Sequence, residues 1–462
     1  MTDWGDVWQN LLNDQRLGEE GVREPLAYRT AFDTDYDRII FSSAFRRLQD
    51  KTQVFPLSRS DYTRTRLTHS LEVASVGRSL GKIAIGGLDE RERKGVNPDT
   101  VGTLVSAACL AHDVGNPPFG HSGETAIQEW AKAKRKKFRD LGFSTEERLD
   151  FEHFEGNAQT FRAYARLQGR ERRGGLRLTY ATLGALIKYP VSSGTMRERD
   201  GGEASTRHKA YKKFGYFQHD EELADEVFRK LRLDKRADGS YQRHPLAYLM
   251  EAADDICYAV IDLEDAHQLK VIPSKDVYDL LCEIAAPKTT KNLSESGKII
   301  VARAAAINEL AIACSEVFVR KFGSIVEGTF ADSLIEHTKF RGQYKNLTDT
   351  ARQKVYTDER VLQIEYAGFQ AIGGLLDMLF EALAVGKPVR QTARDKKLLT
   401  LFPRDYLNLS EVPQSRLNDN SLYLEGLTPY QRMLVATDYI SGMTDGFAVD
   451  LFQKLSGIKL PT

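Results

Sequence analysis

The sequence predicts an all-α, or mostly α, fold, and three observations carry that expectation. Apolar residues recur at helical spacing along most of the 462-residue chain, alternating β patterns are few and short, and no repeat at solenoid periods is present. In chain order, Asp35–Asp50 places Ile39, Ile40, Phe45 and Leu48 near one stripe with charges elsewhere. Leu67–Ile85 continues the pattern through Leu71, Ala74, Val76 and Leu80. Val101–His112 is a small-residue, nearly all-apolar run, the pattern of a helix buried on most sides. Helices are also expected over Ser122–Phe138, Gly156–Leu167 and Tyr180–Lys188, with a long one over Pro245–Gln268. Beyond it the spacing predicts helices near Asp276–Ala285, Gly297–Phe322, Asp358–Ala384 and Pro429–Leu455. Alternation predicts strands only at Val54–Leu57, Ile299–Ala302 and Ser421–Leu424. Arg170–Gly175 reads as a solvated turn. Val191–Glu222 is rich in Gly, Ser and charge and too long for an ordinary connection, as lids and disordered segments are. A composition change near Val271–Pro273 divides the chain into a helical core, 1–270, and a C-terminal helical region, 271–462, packed on it.

Composition narrows the function classes. The 65 basic and 65 acidic residues cancel, so no global field draws the chain to nucleic acid or anionic membrane, and any phosphate-binding surface must be local. The four cysteines, Cys109, Cys257, Cys282 and Cys314, stand singly in apolar stretches and read as buried, reduced thiols. The segment MTDWGDVWQNLLNDQ lacks the basic and apolar regions of a signal peptide, and the runs near Leu104–Ala111 and Ala304–Ala313 are too short or too polar to span a bilayer. A cytoplasmic protein without membrane contact is the expectation. No GxxxxGK[ST] occurs; the nearest string, GRSLGKI, has the wrong spacing and lacks the hydroxyl residue, which disfavours a P-loop nucleoside triphosphatase.

The chemistry concentrates in His69, His112, Asp113 and Asp254. A lone histidine on an apolar helix is more often structural than functional. Together, two imidazoles and two carboxylates make a mixed nitrogen–oxygen shell suited to Mn²⁺, Mg²⁺, Fe²⁺, Co²⁺ or Ni²⁺, and a set that contains no thiol argues against a structural zinc. His112-Asp113 ends an apolar run in CLAHDVGNPPFGH, where an ionisable pair is costly to bury without a partner such as a metal. Asp255 competes with Asp254 as the fourth ligand. On the same helix Asp254, Tyr258 and Asp262 fall at i, i+4, i+8, a stripe about 12 Å long on one face. Glu264 and Asp265 read instead as acids solvating an outer face.

These residues carry a family resemblance. His69 in TRTRLTHSLEV, His112-Asp113 in AHDVGNPPFGH and Asp254 in MEAADDICY resemble the H…HD…D signature of the HD superfamily, in which four ligands hold a divalent ion in a helical core. The chain resembles the dGTP triphosphohydrolases more closely. Their typical motifs run in order over about residues 29–270, from RTAFDTDYDRIIFSSAFRRLQDKTQVF through HDVGNPPFGHSGE, FEHFEGNAQTFR, LIKYP and KKFGYF to EAADDICYAVIDLEDA. DYISGMTDGFA resembles the family's closing helix, with Gly446 where a larger, often basic residue is expected.

The resemblance implies hydrolysis of a dNTP, dGTP by preference, to deoxynucleoside and inorganic triphosphate by attack at the α-phosphorus. That reaction needs a polarised α-phosphate, an activated water and a proton for the leaving oxygen. His121 and Glu124, three residues apart on one helix face, match the family's catalytic pair. His121 protonates the leaving oxygen or positions the nucleophile, and Glu124 orients it; the bland alternative for Glu124 is a charge favoured at a helix N-terminus. His153, in EHFEGN, matches a third catalytic-site histidine. Tyr258 and Asp262 match deoxyribose contacts, Gln53 and Arg66 the sugar and phosphate side, and Lys188, Tyr189 and Lys213 the β- and γ-phosphates. The resemblance also implies a homo-oligomer, a hexamer first, and a nucleotide or single-stranded DNA effector, for which KAKRKK at Lys132–Lys137 offers a basic cluster. Two rivals remain: another HD phosphohydrolase, such as a cyclic-nucleotide phosphodiesterase, a 5′-nucleotidase or a guanosine tetraphosphate hydrolase, and an inactive nucleotide-sensing or DNA-binding HD protein.

Overall fold

A computed structural model describes residues 3–19, 21, 28–53, 63–169, 172–199, 212–383, 392–403, 406, 424 and 426–460. Within them the chain is helical, and no strand longer than an isolated bridge occurs among the described residues. The principal helices are α1 Ala31–Phe41, α2 Arg66–Gly87, α3 Pro98–Ala111, α4 Gly120–Ala133, α5 Thr145–Glu152, α6 Gly156–Arg162, α7 Tyr180–Leu186, α8 Pro245–Gln268, α9 Glu295–Val326, α10 Arg341–Thr350, α11 Glu359–Ala382, α12 Pro429–Ser441 and α13 Asp445–Leu455. None of the described helices is long and apolar enough to cross a membrane.

The centre is the pair α2–α3. Ten residues of α3, from Val101 to Ala111, are buried, as its small-residue composition requires. The two helices touch backbone to backbone: a Cβ on Gly81 would come within 2.9 Å of the Gly102 Cα. Ser106 Oγ adds a bond to Ala74 O at 2.9 Å. This close approach sets the start of α2 beside the end of α3. Helix α8 packs against both α2 and α3, and α9 covers α2 and α8 from outside.

The apolar interior forms two clusters. One gathers residues from Trp8 to Val361 around α2, α3, α8 and α9; the other gathers Phe119, Trp130, Phe151, Phe154, Phe214, Phe217 and residues of α11 and α12. Two short segments pass from one cluster to the other. Val114 belongs to the first and Phe119 to the second, and Ile187 to the first and Val191 to the second. Both segments carry site residues.

Several expectations need correction. Ile299–Ala302 is not a strand but the second turn of α9, where Ile299 and Ala302 meet the core at helical spacing. Val54–Leu57 and most of Ser421–Leu424 lie outside the described residues, and Leu424 itself is in a short helical turn. Asp35–Asp50 is broken at Ser42, which turns extended and caps the next short helix by accepting from Phe45 N at 3.2 Å. Ser122–Phe138 is interrupted at Lys134, and Pro429–Leu455 at Gly442–Thr444, where Thr444 caps α13. The expected irregular stretch Val191–Glu222 contains a helix at Ser193–Arg199 and a return segment held by Gly215 N on Val191 O at 3.0 Å. Its residues 200–211 lie outside the description. The four cysteines are free thiols, and Cys282 is only partly buried.

Candidate metal centre and active site

Three donor atoms converge at the junction of α2, α3 and α8. One atom each from His69, His112 and Asp254 lies within 4.8 Å of the others. His69 Nε2 is 3.4 Å and His112 Nε2 is 3.5 Å from the same Asp254 Oδ1. The His112 Nδ1–H donates to Cys109 O at 2.6 Å, which fixes the tautomer and leaves the Nε2 lone pair facing the cluster. Asp254 supplies the carboxylate; its neighbour Asp255 is not in the trio.

The donor set fits a divalent cation. His112 Nε2 and both nitrogens of His69 are buried and make no hydrogen bond. An unpaired buried polar atom costs about 1–3 kcal/mol, and three in two neighbouring rings, two of them facing one carboxylate, are unlike a structural core. Separations of 3.4–3.5 Å are long for a hydrogen bond and suit atoms sharing an ion with bonds of about 2.0–2.2 Å. The electrostatics agree. Burial lowers the affinity of His112 for a proton, but Asp113 and Asp254 outweigh it and lift the pKa to about 9. Burial likewise acts to raise Asp254, and the facing His112, with His69 and the Lys188 ammonium nearby, holds it well below the usual carboxylate range. The pocket is built for positive charge.

Asp113 stands beside the trio. Its Oδ1 is 3.4 Å from His112 Nε2 and accepts from Asn116 Nδ2 at 2.7 Å, while Oδ2 takes Arg66 Nη1 at 2.7 Å. Arg66 is thus a partner of Asp113, with its Nε left without a hydrogen bond. Lys188 reaches the cluster from the segment after α7, with Nζ 3.5 Å from Glu251 Oε1 and 3.8 Å from Asp254 Oδ2, above the Tyr189 ring.

The second group sits at the start of α4. Glu124 is 4% exposed. Its Oε2 is 2.8 Å from His121 Nδ1, and its Oε1 accepts from Gly156 N at 2.7 Å. The His121 side chain is 79% exposed, so its other nitrogen is open to an incoming group. The bond from Glu124 raises the His121 pKa; burial acts to raise that of Glu124, and His121 outweighs it. His153 ends α5, three residues before Gly156. Lys213 Nζ binds Glu155 Oε2 at 2.9 Å. Burial, with Glu124 nearby, pushes Glu155 up to about 7.

Along α8 the stripe continues from Asp254 to Tyr258 and Asp262. Asp262 is buried, and Tyr356 donates to its Oδ2 at 2.5 Å. The Tyr258 and Tyr356 rings stack with centroids 6.1 Å apart. Burial, opposed by the Tyr356 bond, pushes Asp262 up to about 8, and its Oδ1 has no hydrogen-bond partner. Gln53 Oε1 is also buried without a partner.

Sequence reasoning missed four participants: Tyr356 on Asp262, Glu155 on Lys213, Asn116 on Asp113, and Glu251, which joins Lys188 to Arg243 at 2.8 Å. Glu155 and Asn116 were inside quoted motifs; Tyr356 follows a polar helix with no apolar signal. Glu264 and Asp265 do not solvate an outer face. They are buried and hold Arg64, with Glu264 also 2.6 Å from Arg303. The KAKRKK cluster is largely neutralised, since Lys134, Arg135 and Lys137 pair with Asp377, Glu152 and Glu381.

A helical frame presenting this His-His-Asp cluster defines an HD-domain protein, and the HD domain family model matches residues 66–178. That stretch contains His69, His112 and Asp113; Asp254 joins from α8, outside it. Relatives extend the likeness over the rest. A deoxyguanosinetriphosphate triphosphohydrolase-like protein of Synechocystis is 38% identical over 98% of this chain and 100% of its own length, and one of Pseudomonas aeruginosa strain LESB58 is 38% identical with the same coverage. A deoxyguanosinetriphosphate triphosphohydrolase of Salmonella enteritidis is 32% identical over 98% of this chain and 99% of its own. The chain belongs to the deoxyguanosinetriphosphate triphosphohydrolase family. It is an HD-superfamily hydrolase, and a divalent metal ion is its cofactor.

Proposed function

We propose that the chain hydrolyses dNTPs, dGTP by preference, to deoxynucleoside and inorganic triphosphate. The observation that carries this reading is the His69–His112–Asp254 cluster with its unpaired imidazole nitrogens, flanked by the cations Lys188 and Arg66. His69, His112, Asp113 and Asp254 hold the ion, Mn²⁺ or Mg²⁺ first among Mn, Mg, Fe, Co and Ni. When bound, it polarises the α-phosphate and favours deprotonation of the attacking water.

The remaining steps belong to side chains. Water attacks the α-phosphorus, the bond from phosphorus to the 5′-oxygen breaks, and that oxygen takes a proton. His121 is suited to this proton traffic because Glu124 fixes its Nδ1 and leaves Nε2 open, and His153, three residues before the Gly156 that also holds Glu124, is the third member of the set. Lys188, Tyr189, Lys213 and Arg66 bind the phosphates. Tyr258 and Asp262 take the deoxyribose, with Gln53 on the same side. The unpartnered Oδ1 of Asp262 and Oε1 of Gln53 support that role, as polar atoms awaiting a hydroxyl.

The same reading carries a cytoplasmic homo-oligomer, a hexamer first, and an effector that is a nucleotide or single-stranded DNA. Tyr28, Phe41 and Tyr366, each more than two-thirds exposed, offer a second copy apolar surface to cover. It also keeps residues 271–462 as a region packed on a core of 1–270. The deciding experiment incubates metal-loaded protein with each dNTP and identifies the inorganic product. Triphosphate is expected, fastest from dGTP; pyrophosphate or orthophosphate moves the chain to another HD reaction.

A further inference from the structure

The turn between the HD pair and His121 is held from an unexpected quarter. Phe119 adopts φ +63°, a left-handed conformation that a bulky residue takes only where its surroundings impose it. Three contacts impose it here. The Phe119 ring lies on Gly368 of α11, where a Cβ would come within 2.7 Å of the ring. Its backbone N–H donates to Asp445 Oδ1 at 2.9 Å. Three residues earlier, Asn116 O accepts from Lys51 Nζ at 2.5 Å.

Asp445 and Lys51 each serve a second segment. Asp445 Oδ2 accepts Thr52 N at 3.0 Å, one residue before Gln53, and Lys51 Nζ also donates to Ser441 O at 2.6 Å. Both side chains are almost wholly buried, at 1% and 2% exposure. A buried carboxylate and a buried amine, whose pKa burial lowers to about 7, thus hold the backbone of three site-bordering segments: 51–53, 116–119 and the α12–α13 turn. Burying polar and ionisable groups is costly unless their hydrogen bonds are made, so both side chains have a strong geometric preference.

We infer that Asp445 and Lys51 are positioning residues, through which the α12–α13 turn sets the place of His121–Glu124 and Gln53 without touching substrate. The inference rests on the roles proposed above for those residues. The clamp reaches the donor side at Arg66 N, on Lys51 O at 2.9 Å, and at Asn116, on Asp113, but neither Asp445 nor Lys51 bonds to His69, His112 or Asp254, so its main effect falls on the catalytic pair while the trio keeps the ion. Asp445→Asn keeps the size of the side chain but offers one carbonyl oxygen for two N–H groups.

The test uses the full chain and two independent readouts. In Asp445→Asn, amide exchange over 116–121, followed by mass spectrometry on the metal-loaded protein, is expected to quicken at least tenfold. The kcat is expected to fall at least tenfold, with bound metal per chain unchanged. Exchange unchanged from wild type, or quickened exchange with wild-type kcat per folded molecule, overturns the inference. A merely structural role would lower the melting temperature and leave kcat per folded molecule intact. Where Asp445→Asn does not fold, Gly368→Ala decides by the same measurements, because its Cβ presses on the Phe119 ring and displaces the turn that Asp445 holds. Failure of the wild-type chain to release triphosphate strikes the proposed reaction, whereas unchanged exchange in the variants strikes the clamp alone.

Discussion

Two imidazole environments in this chain, one at His244 and one at His69 and His112, share buried ring nitrogens and differ in their hydrogen bonds. His244 caps α8: its Nδ1 accepts Leu246 N at 3.1 Å, and its Nε2–H donates to Leu11 O at 3.0 Å. Every polar atom of the ring has a partner, and the residue ties the start of α8 to the N-terminal helix Trp4–Leu11. His69 and His112 keep three nitrogens without hydrogen bonds, and their two Nε2 atoms face one carboxylate. A buried imidazole with its bonds complete is a piece of architecture. One with bonds left open, facing a partly exposed acid, is a ligand awaiting its cation.

The largest expected effect separates the two environments directly. His112→Ala should lose the ion, and turnover should drop by about three orders of magnitude or more, since the cation supplies several kcal/mol of charge stabilisation. His244→Gln should retain both, because Gln offers one acceptor and one donor. Metal analysis of the purified variants beside a dNTP assay measures this. A His112→Ala protein that binds metal and turns over normally removes the centre.

Glu124 sharpens the same contrast on the catalytic side, since its carboxylate has one oxygen on His121 and the other on Gly156 N. Glu124→Gln keeps the length and can keep the second bond, but it loses the charge that orients the imidazole. Turnover should fall by roughly 10²–10³-fold, in the range of general acid–base contributions, with metal content as in wild type. Steady-state kinetics on the metal-saturated variant gives the answer; wild-type kcat would reduce Glu124 to a charge at a helix N-terminus.

How much of this was legible depends on local signals. Pro245–Gln268 reads from end to end, because Pro245 opens the helix and its long apolar run lets nineteen of the 24 residues be buried on nearly every side. Helices α5 and α10 escaped: TEERLDFE and RGQYKNLTDT are polar almost all round, and their formation rests on tertiary packing and, for α5, the Ser144–Glu147 capping box. In the site, residues within one motif were accessible, as His121 and Glu124 show. Partners brought together by packing across the fold were not. Nothing near Asp113 in the sequence announces that Arg66 will take one of its oxygens, and nothing joins Tyr356 to Asp262 before α8 and the turn after α10 are built. The charge-rich tail of α8 misled for the same reason. Glu264 and Asp265 look solvated until Arg64 and Arg303 arrive to pair them.

The smallest expected effect lies at His244 and reads its closed environment through pH. Burial lowers its pKa to about 4, against an ordinary value of 6.5, and the acceptor role of Nδ1 toward Leu246 N gives that shift a geometric cause, because a proton there would face another N–H. The folded state therefore prefers the neutral ring, and the unfolded chain takes up the proton first as pH falls. The stability that His244 contributes is complete above pH 6.5 and is lost as pH drops from there toward 4. Between pH 7.5 and 5 the loss should be about 2 kcal/mol, from about 1.4 kcal/mol per pKa unit. Urea unfolding of wild type and His244→Gln at both values isolates it: other acids titrate alike in the two proteins, and the variant's curve should be flatter by that amount. Parallel curves would mean that the His244 ring is protonated as readily folded as unfolded, and the contrast between a closed and an open imidazole would then rest on the metal centre alone.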